Sequence, residues 1–319
     1  MYKYGRFAIE SCADNQVRPV RKMTGMRTWL LSKLALAFAL ATGALAPAQN
    51  PRAKPLPDSP APQVSAQAHY NIGVALFSKG DLDGAIAEYR EALRLQPEYF
   101  EALENLGLVL EKKGDLDGAI KEHEAALRLR PNDGDAHYNL GSDLDDNGDF
   151  DGAIKQYREA SRLEPGNADA HYNLGLLLAR KGEMDAAILE FREASRLKPD
   201  NPKAHNNLGL ALAETGDANA AIKEYLEAIR LNPTSVGAHY NLGRALDQID
   251  DLKAAMEEYR KAIGLAPELA EAHYQMGRDL RDTGDAKEGL SELQKASALE
   301  PNNSIYREAA KNLQQRMSH

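Results

Sequence analysis

A unit of 34 residues, written seven times without a gap from Ala66 to Asn303, constrains this chain more than any other feature. His69 to Gly73 reads His-Tyr-Asn-Ile-Gly, and the same letters return at His137, His171 and His239 with Leu for Ile. A fixed period of this length marks a solenoid, in which each unit packs only on its neighbours. About three quarters of the 319 residues are repeat, so length alone says little about domain number. An extended binding surface, rather than a catalytic pocket, is what such a chain predicts.

Within a unit, apolar and small residues recur at helical spacing in two blocks. In the first copy, helix A is expected over 67–79 and helix B over 82–95. Gly80 lies between them, where a left-handed turn costs glycine little, and Asp81 follows in N-cap position. Pro97 closes the unit because proline cannot continue a helix. Gly73, Ala85 and Ala92 mark close helix approach, with Leu76 and Tyr89 filling the space around them.

Glycine holds the eighth place of every copy (Gly73, Gly107, Gly141, Gly175, Gly209, Gly243 and Gly277). Alanine holds the twenty-seventh, from Ala92 to Ala296, and proline the thirty-second, from Pro97 to Pro301. This pattern resembles the tetratricopeptide repeat over residues 66–303. The resemblance implies an all-α, right-handed superhelical solenoid of seven helix-turn-helix repeats. Their bounds are 66–99, 100–133, 134–167, 168–201, 202–235, 236–269 and 270–303. The departures are specific. Histidine replaces the family's usual fourth-place tryptophan in six copies and Leu103 replaces it in the second. Asp250 stands where the sixth turn glycine belongs, which predicts strain or lengthening of that corner. Repeat seven carries Gly289 and Leu293 at its small and aromatic places. Residues 304–319 form a tail in which a capping helix is expected, with Ile305, Ala309 and Leu313 on its covering side. No helix of that pattern precedes the first repeat.

Residues 1–48 read as an N-terminal extension and signal peptide. Arg27 and Lys33 precede an apolar run from Leu34 to Leu45 and the small-x-small site Ala46-Pro47-Ala48, so cleavage is expected after Ala48. The run is shorter than the roughly 20 residues of a membrane span. Translation is expected to start at Met23 or Met26. The chain is thus expected to be exported, periplasmic or secreted, and membrane-anchored only if the signal stays uncleaved. Residues 49–65 hold five prolines and read as a semi-rigid spacer. A docking motif for a proline-binding module is the lesser alternative. Cys12 is the lone cysteine, so neither an intrachain disulfide nor a cysteine metal cluster is available. Net charge is −9, which excludes a broadly basic nucleic-acid footprint.

The family resemblance places helix A on the concave side. Its sixth column is Asn71, Asn105, Asn139, Asn173, Asn207 and Asn241, then Gln275. An amide both donates and accepts, so it can pair with a peptide group whatever the peptide's sequence. Helices about 8–10 Å apart would meet an extended chain, rising about 3.3 Å per residue, at about every third residue. A similar asparagine ladder holds peptides in the repeat arm of O-GlcNAc transferase. Beside it run Tyr70, Tyr138, Tyr172, Tyr240 and Tyr274, interrupted by Glu104 and Asn206. Both columns also admit purely structural roles, the amides bonding neighbouring turns and the rings packing on the next helix A. Glu101, Glu104, Glu111, Asp135, Asp145 and Asp146 make the early-middle groove acidic, whereas Arg244, Arg278 and Arg281 make the late groove mixed or basic. The acidic stretch suits a basic ligand or is simply a solvated face. Basic residues that would clasp chaperone carboxylate tails are missing from the early repeats.

The partners implied are other proteins or peptides, with no cofactor, metal or nucleic acid. Self-association through the repeat ends is the alternative use. The histidine column (His69, His137, His171, His205, His239 and His273) cannot converge on one metal when its rungs stand about 8–10 Å apart. It is read as packing. His123-Glu124 lacks the second histidine of a zinc-protease helix, and Asn147 to Gly152 lacks the closing glutamate of a calcium loop. No nucleophile elbow or phosphate-cradling loop occurs, so an enzyme is not expected.

Overall fold

A computed structural model describes residues 64–318. The leader, its cleavage point and nearly all of the proline-rich spacer lie outside the described residues. Among them are fifteen helices and no strand. Helix A of the seven repeats is α1 (Ala66–Ser78), α3 (Phe100–Lys113), α5 (Gly134–Asp146), α7 (Ala168–Lys181), α9 (Pro202–Glu214), α11 (Val236–Gln248) and α13 (Ala270–Asp282). Helix B is α2 (Leu82–Leu95), α4 (Leu116–Leu129), α6 (Phe150–Leu163), α8 (Met184–Leu197), α10 (Ala218–Leu231), α12 (Leu252–Leu265) and α14 (Ala286–Leu299). A last helix, α15 (Ser304–Met317), follows.

Each helix packs on the one before and the one after it. The stronger second-neighbour contacts all join helices A: α1 with α3, α3 with α5, α7 with α9, and α9 with α11. Helices A therefore crowd together on the inner side of the stack. Five helices B begin with an aspartate whose carboxylate accepts from the backbone N–H three residues on, as Asp81 does from Gly84 at 3.0 Å. Such caps satisfy amide groups that no preceding turn reaches.

The pair of helices within a repeat closes over the eighth-column glycine. A Cβ on Gly73 would stand 2.6 Å from Tyr89 Cε1, and one on Gly243 equally close to Tyr259. Tyr89, Tyr157, Phe191, Tyr225 and Tyr259 fill this place in five repeats and are buried. In repeat two it is filled by His123, and in repeat seven by Leu293.

The last helix differs from expectation. Its buried face is Tyr306, Ala310 and Leu313, while Ile305 is 61% exposed. The helix continues the repeat register, and Tyr306 occupies the third place. That place is buried alanine in every helix A from Ala102 to Ala272, because it faces the preceding repeat. In α15 a buried ring holds that place, and Tyr306 lies 4.8 Å from Tyr274 between ring centres.

The sixth corner is strained but not lengthened. Asp250 takes φ 64°, the one positive φ outside glycine among the described residues. Helix α12 still begins at Leu252, in register. The bonds from Asp250 N–H to Asp247 O (3.1 Å) and from Asp251 N–H to Leu246 O (3.0 Å) match those at Gly80 and Asp81. A left-handed conformation costs an L residue about 1–2 kcal/mol. Asp250→Gly is therefore expected to stabilise the protein by about 1 kcal/mol, read as a higher midpoint in urea unfolding with helicity unchanged.

Candidate functional site

The amide ladder lies along the seam between adjacent helices A. Asn105 Nδ2 donates to Tyr70 Oη at 2.9 Å and Asn207 Nδ2 to Tyr172 Oη at 3.0 Å. Asn173 Nδ2 reaches Tyr138 and Tyr157 at 3.4 Å each. Where the fifth column is not tyrosine, the pairing persists: Asn139 donates to Glu104 Oε2 at 2.9 Å and Asn241 to Asn206 Oδ1 at 3.1 Å. The two columns therefore form one relay, each amide bonded to the fifth-column group of the repeat before. Asn71, with no earlier repeat, accepts from Gln67 instead. Gln275 accepts from Arg278 at 2.9 Å. Asn105, Asn139 and Asn241 each use one N–H in these bonds, Asn173 makes two contacts through Nδ2, and Asn71 uses its oxygen; a side-chain amide offers two donors and two acceptor lone pairs. The structure thus supplies a seam role for these amides; Asn207 and Asn241 are buried in it, whereas Asn105, Asn139 and Asn173 are only half-buried.

The fifth-column rings stack against the ring on helix B of the same repeat. Tyr70 lies 5.9 Å from Tyr89, Tyr138 5.7 Å from Tyr157, and Tyr240 6.0 Å from Tyr259 between centres. Tyr274 instead meets Tyr306. Helix α9 is buried continuously from Asn206 to Ala213.

The fourth-column histidines do more than pack. Each ring bridges helix A to helix B through Nδ1, nineteen residues on: His171 to Glu190 at 2.6 Å, His205 to Glu224 at 2.7 Å, His239 to Glu258 at 2.6 Å. Nε2 points to the carbonyl of the proline six residues earlier, at 3.3 Å for Pro165, 3.2 Å for Pro199 and 3.0 Å for Pro233. His137 and His273 repeat the arrangement with Gln156 and Glu292. His69 keeps its Glu88 contact. A ring facing an acceptor at each nitrogen is fully satisfied only when both nitrogens carry hydrogen. Accordingly the Glu190 hydrogen bond raises the pKa of His171 and the Glu224 bond that of His205, against the burial that opposes charge.

Two polar clusters escaped the column reading. His123 and Asp143 are both fully buried, with Nδ1 2.6 Å from Asp143 Oδ2 and Nε2 3.3 Å from the Glu104 carbonyl. Burial opposes the charged ring, but the Asp143 bond and charge prevail and its pKa is raised. Burial also raises the pKa of the Glu104 carboxyl beside it. In the late groove, burial and the charge of Asp247 push Asp279 up to about 8, and Asp247 is raised with it. The two carboxyls are hydrogen-bonded to each other. The signal was present: the tenth column is Ala, Val or Leu except at Asp143 and Asp279. Arg281 pairs with Asp282 at 2.7 Å, so the late groove is mixed rather than basic. In the early groove Glu101 is already paired with Arg130 at 2.6 Å.

Among the described residues no three His, Cys, Asp or Glu side chains are placed to hold a metal ion, and no helix is long and apolar enough to cross a membrane.

Fold and groove together define an all-α helical-repeat protein of the kind that scaffolds protein interactions. Tetratricopeptide-repeat models match residues 138–202 and 236–269, and a TPR-repeat model matches 73–114, 112–142 and 211–250. The chain belongs to the tetratricopeptide repeat family, whose scaffolds are typically non-catalytic. It is similar to the C-terminal part of a TPR repeat-containing protein from Cytophaga hutchinsonii. That match has TM-score 0.63 and 20% identity, and covers 75% of this chain and 98% of that one. It is also similar to YrrB, described as a TPR protein with an unusual peptide-binding site, with TM-score 0.55, 22% identity, and 60% and 100% coverage. A third similarity is to the MamA protein, with TM-score 0.50, 30% identity, and 53% and 92% coverage. No curated protein matches the chain.

Two outcomes are expected. Because folding raises the pKa of His171, its stabilisation is fully present below the unfolded value near 6.5 and is lost as pH rises through the folded value. His171→Gln should therefore lower Tm most below about pH 6.5, with the deficit shrinking at higher pH in thermal scans. Asp143→Ala strands a buried imidazole charge and should cost about 3–5 kcal/mol. Adding His123→Tyr, the residue other repeats use there, should restore most of it in urea titrations.

Proposed function

We propose that this protein is an exported adaptor that binds extended peptide segments along the face formed by its helices A. The observation that supports this most is the relay of sixth-column amides and fifth-column rings, repeated rung by rung on the inner side. At about 8–10 Å per rung, the ladder meets an extended strand at about every third residue. The seam bonds fix each amide's orientation, so little side-chain entropy is lost when a peptide binds. Tyrosine adds rigid contact area with a polar tip. The ladder is read here as in the resembling arm of O-GlcNAc transferase, and YrrB is a fold relative whose description names a peptide-binding site. Export rests on the leader sequence.

A display selection with a random peptide library, followed by calorimetric titration, tests the ladder. Changing Asn139, Asn173, Asn207 and Asn241 to alanine should weaken selected peptides by about 0.5–1.5 kcal/mol per lost bond. Tyr138→Phe with Tyr172→Phe removes seam acceptors yet keeps the amides, and should weaken binding less than the four alanines do, by loosening amide orientation. Equal affinities for wild type and the four-alanine protein would sink the ladder reading.

Self-assembly through the repeat ends is the second reading. It is favoured by Ile305 and Met317 standing exposed on α15. A strict monomer by light scattering at high concentration eliminates it.

A further inference from the structure

The tenth place of helix A is exposed at Ala75 in the first repeat and buried in the other six, so it faces the preceding repeat. It is Val109, Leu177, Ala211 and Ala245 in four of these, and aspartate at Asp143 and Asp279. The two aspartates are answered differently. Twenty residues before Asp143 stands His123, whose imidazole meets the carboxylate at 2.6 Å. Twenty residues before Asp279 stands Tyr259, whose buried hydroxyl makes no hydrogen bond. Asp279 itself is 1% exposed, and among the described residues no donor meets its Oδ2.

Across the seam lies the half-buried Asp247 of α11, and the two carboxyls hydrogen-bond to each other. Ionised carboxylates only accept, so that bond exists only while one of the pair carries a proton. Burial and the Asp247 charge hold a proton on Asp279 up to about 8, with Arg278 opposing. Of the other groups facing the pair, Asp282 on α13 favours the proton and Arg244 on α11 opposes it. Asp282 is itself paired with Arg281. The phenols of Tyr240 on α11 and Tyr259 on α12 lie in the same cluster. Helix α14 meets this stretch of α13 with Gly289 and Leu293. The seam is also a weak one: the contact of α12 with α13 is the smallest between successive helices, and α11 meets α13 less than it meets α9.

We propose that the Asp247–Asp279 contact is a proton-held latch that keeps repeat seven and α15 closed on repeat six, and that its loss frees residues 270–317 as a unit while the earlier repeats stay folded. A solenoid can open in this way because each unit contacts only its neighbours. The proton passes to solvent and leaves two like charges facing each other across a buried seam. Closed, Asp279 gives up its proton only near pH 8. Opened, it does so near the ordinary value of about 3.9. Opening therefore releases one proton over the interval between, so the opening constant climbs about tenfold per pH unit there and levels off above the folded value. The latch does not depend on what the inner face binds.

The test is hydrogen exchange by mass spectrometry on the full-length chain at a series of pH values from mild acid to mild alkali, each rate divided by that of the unfolded chain. Opening of residues 270–317 should climb about tenfold per pH unit and level off beyond the folded value, whereas residues 100–200 should not follow that slope. Asp279→Asn keeps the shape and donates an amide N–H to Asp247 without titrating, and should remove the slope. Asp279→Leu, the residue that repeat four carries at this place, should remove it too, so the comparison survives if either variant folds poorly. An unchanged slope in the variant that keeps wild-type helicity would overturn the latch. The same slope in all seven repeats would also overturn it, since the opening would then be global.

Discussion

The approach of helix A to helix B over the eighth-column glycine is the contact on which the remaining structure depends. A methyl group there would stand 2.6–2.9 Å from ring carbons in five repeats, closer than packed atoms come. Overpacking of this kind costs about 1–3 kcal/mol per site, and here the site recurs in every unit. With the two helices this close, the ring of helix B fills the space between them. The alanines of the third and twenty-seventh columns then bring the next repeat equally close. No repeat has a core of its own that would survive alone; the apolar faces are buried only because neighbours stack on both sides. The two ends are therefore where the pattern must change. At the C-terminal end it does so by placing Tyr306 where every interior helix A has alanine.

Polar groups finish what the apolar columns leave open. The fourth-column histidine ties three pieces together: its own helix, the paired helix B and the turn that enters the repeat. A tryptophan at that place would supply area but only one N–H, whereas imidazole supplies two donors when protonated. The cost is dependence on pH. For His171 and His205 the raised pKa makes the tie strongest in mild acid. The Asp247–Asp279 pair acts in the same direction, because a carboxyl pushed up to about 8 is easier to bury protonated than charged. Surface carboxylates work the other way. Glu159, Glu193 and Glu227 sit low through hydrogen bonds to the arginines three residues on. Their contribution is lost as pH falls through their lowered values, which leaves the balance between these two limits.

The fold was readable because the columns that set it are invariant within this one sequence. Glycine, alanine and proline at fixed spacing dictate helix, approach and turn without help from distant residues. The sixth corner shows the strength of that register: Asp250 accepts a left-handed backbone rather than shifting α12. Polar partners were harder to read because they are set by distance in space, thirty-five residues back for an asparagine and nineteen forward for a histidine. His123 looked like the start of a metal motif in linear sequence. Stacked in its column, it stands where other repeats have a ring, and Asp143 is the compensating oddity twenty residues away. The error on α15 has the same origin: a helical wheel taken alone favoured Ile305, whereas the repeat register selects Tyr306.

Specificity in such a stack has to come from the places that packing does not fix. Glycine, alanine and ring columns are interchangeable between repeats, so they cannot distinguish one stretch of groove from another. Places nine and twelve of helix A are constrained only to lie on the inner face. In this chain place twelve is Glu111 and Asp145 in repeats two and three and alanine in four and five, place nine becomes Arg244 and Arg278 in six and seven, and Asp247 keeps a carboxylate beside Arg244. A uniform ladder beneath a graded surface separates two tasks. In the proposed adaptor the amides would provide hydrogen bonds that ignore sequence, and the graded places would decide direction and composition. A peptide with a basic part followed by an apolar part, bound in reverse, would set the basic part against Arg244 and Arg278 and leave the apolar part beside the aspartates of α5. Like charge and stranded apolar surface both disfavour that register. The polarity of the groove is therefore a property of the repeat order itself, and it would be lost by exchanging repeats that are interchangeable for folding.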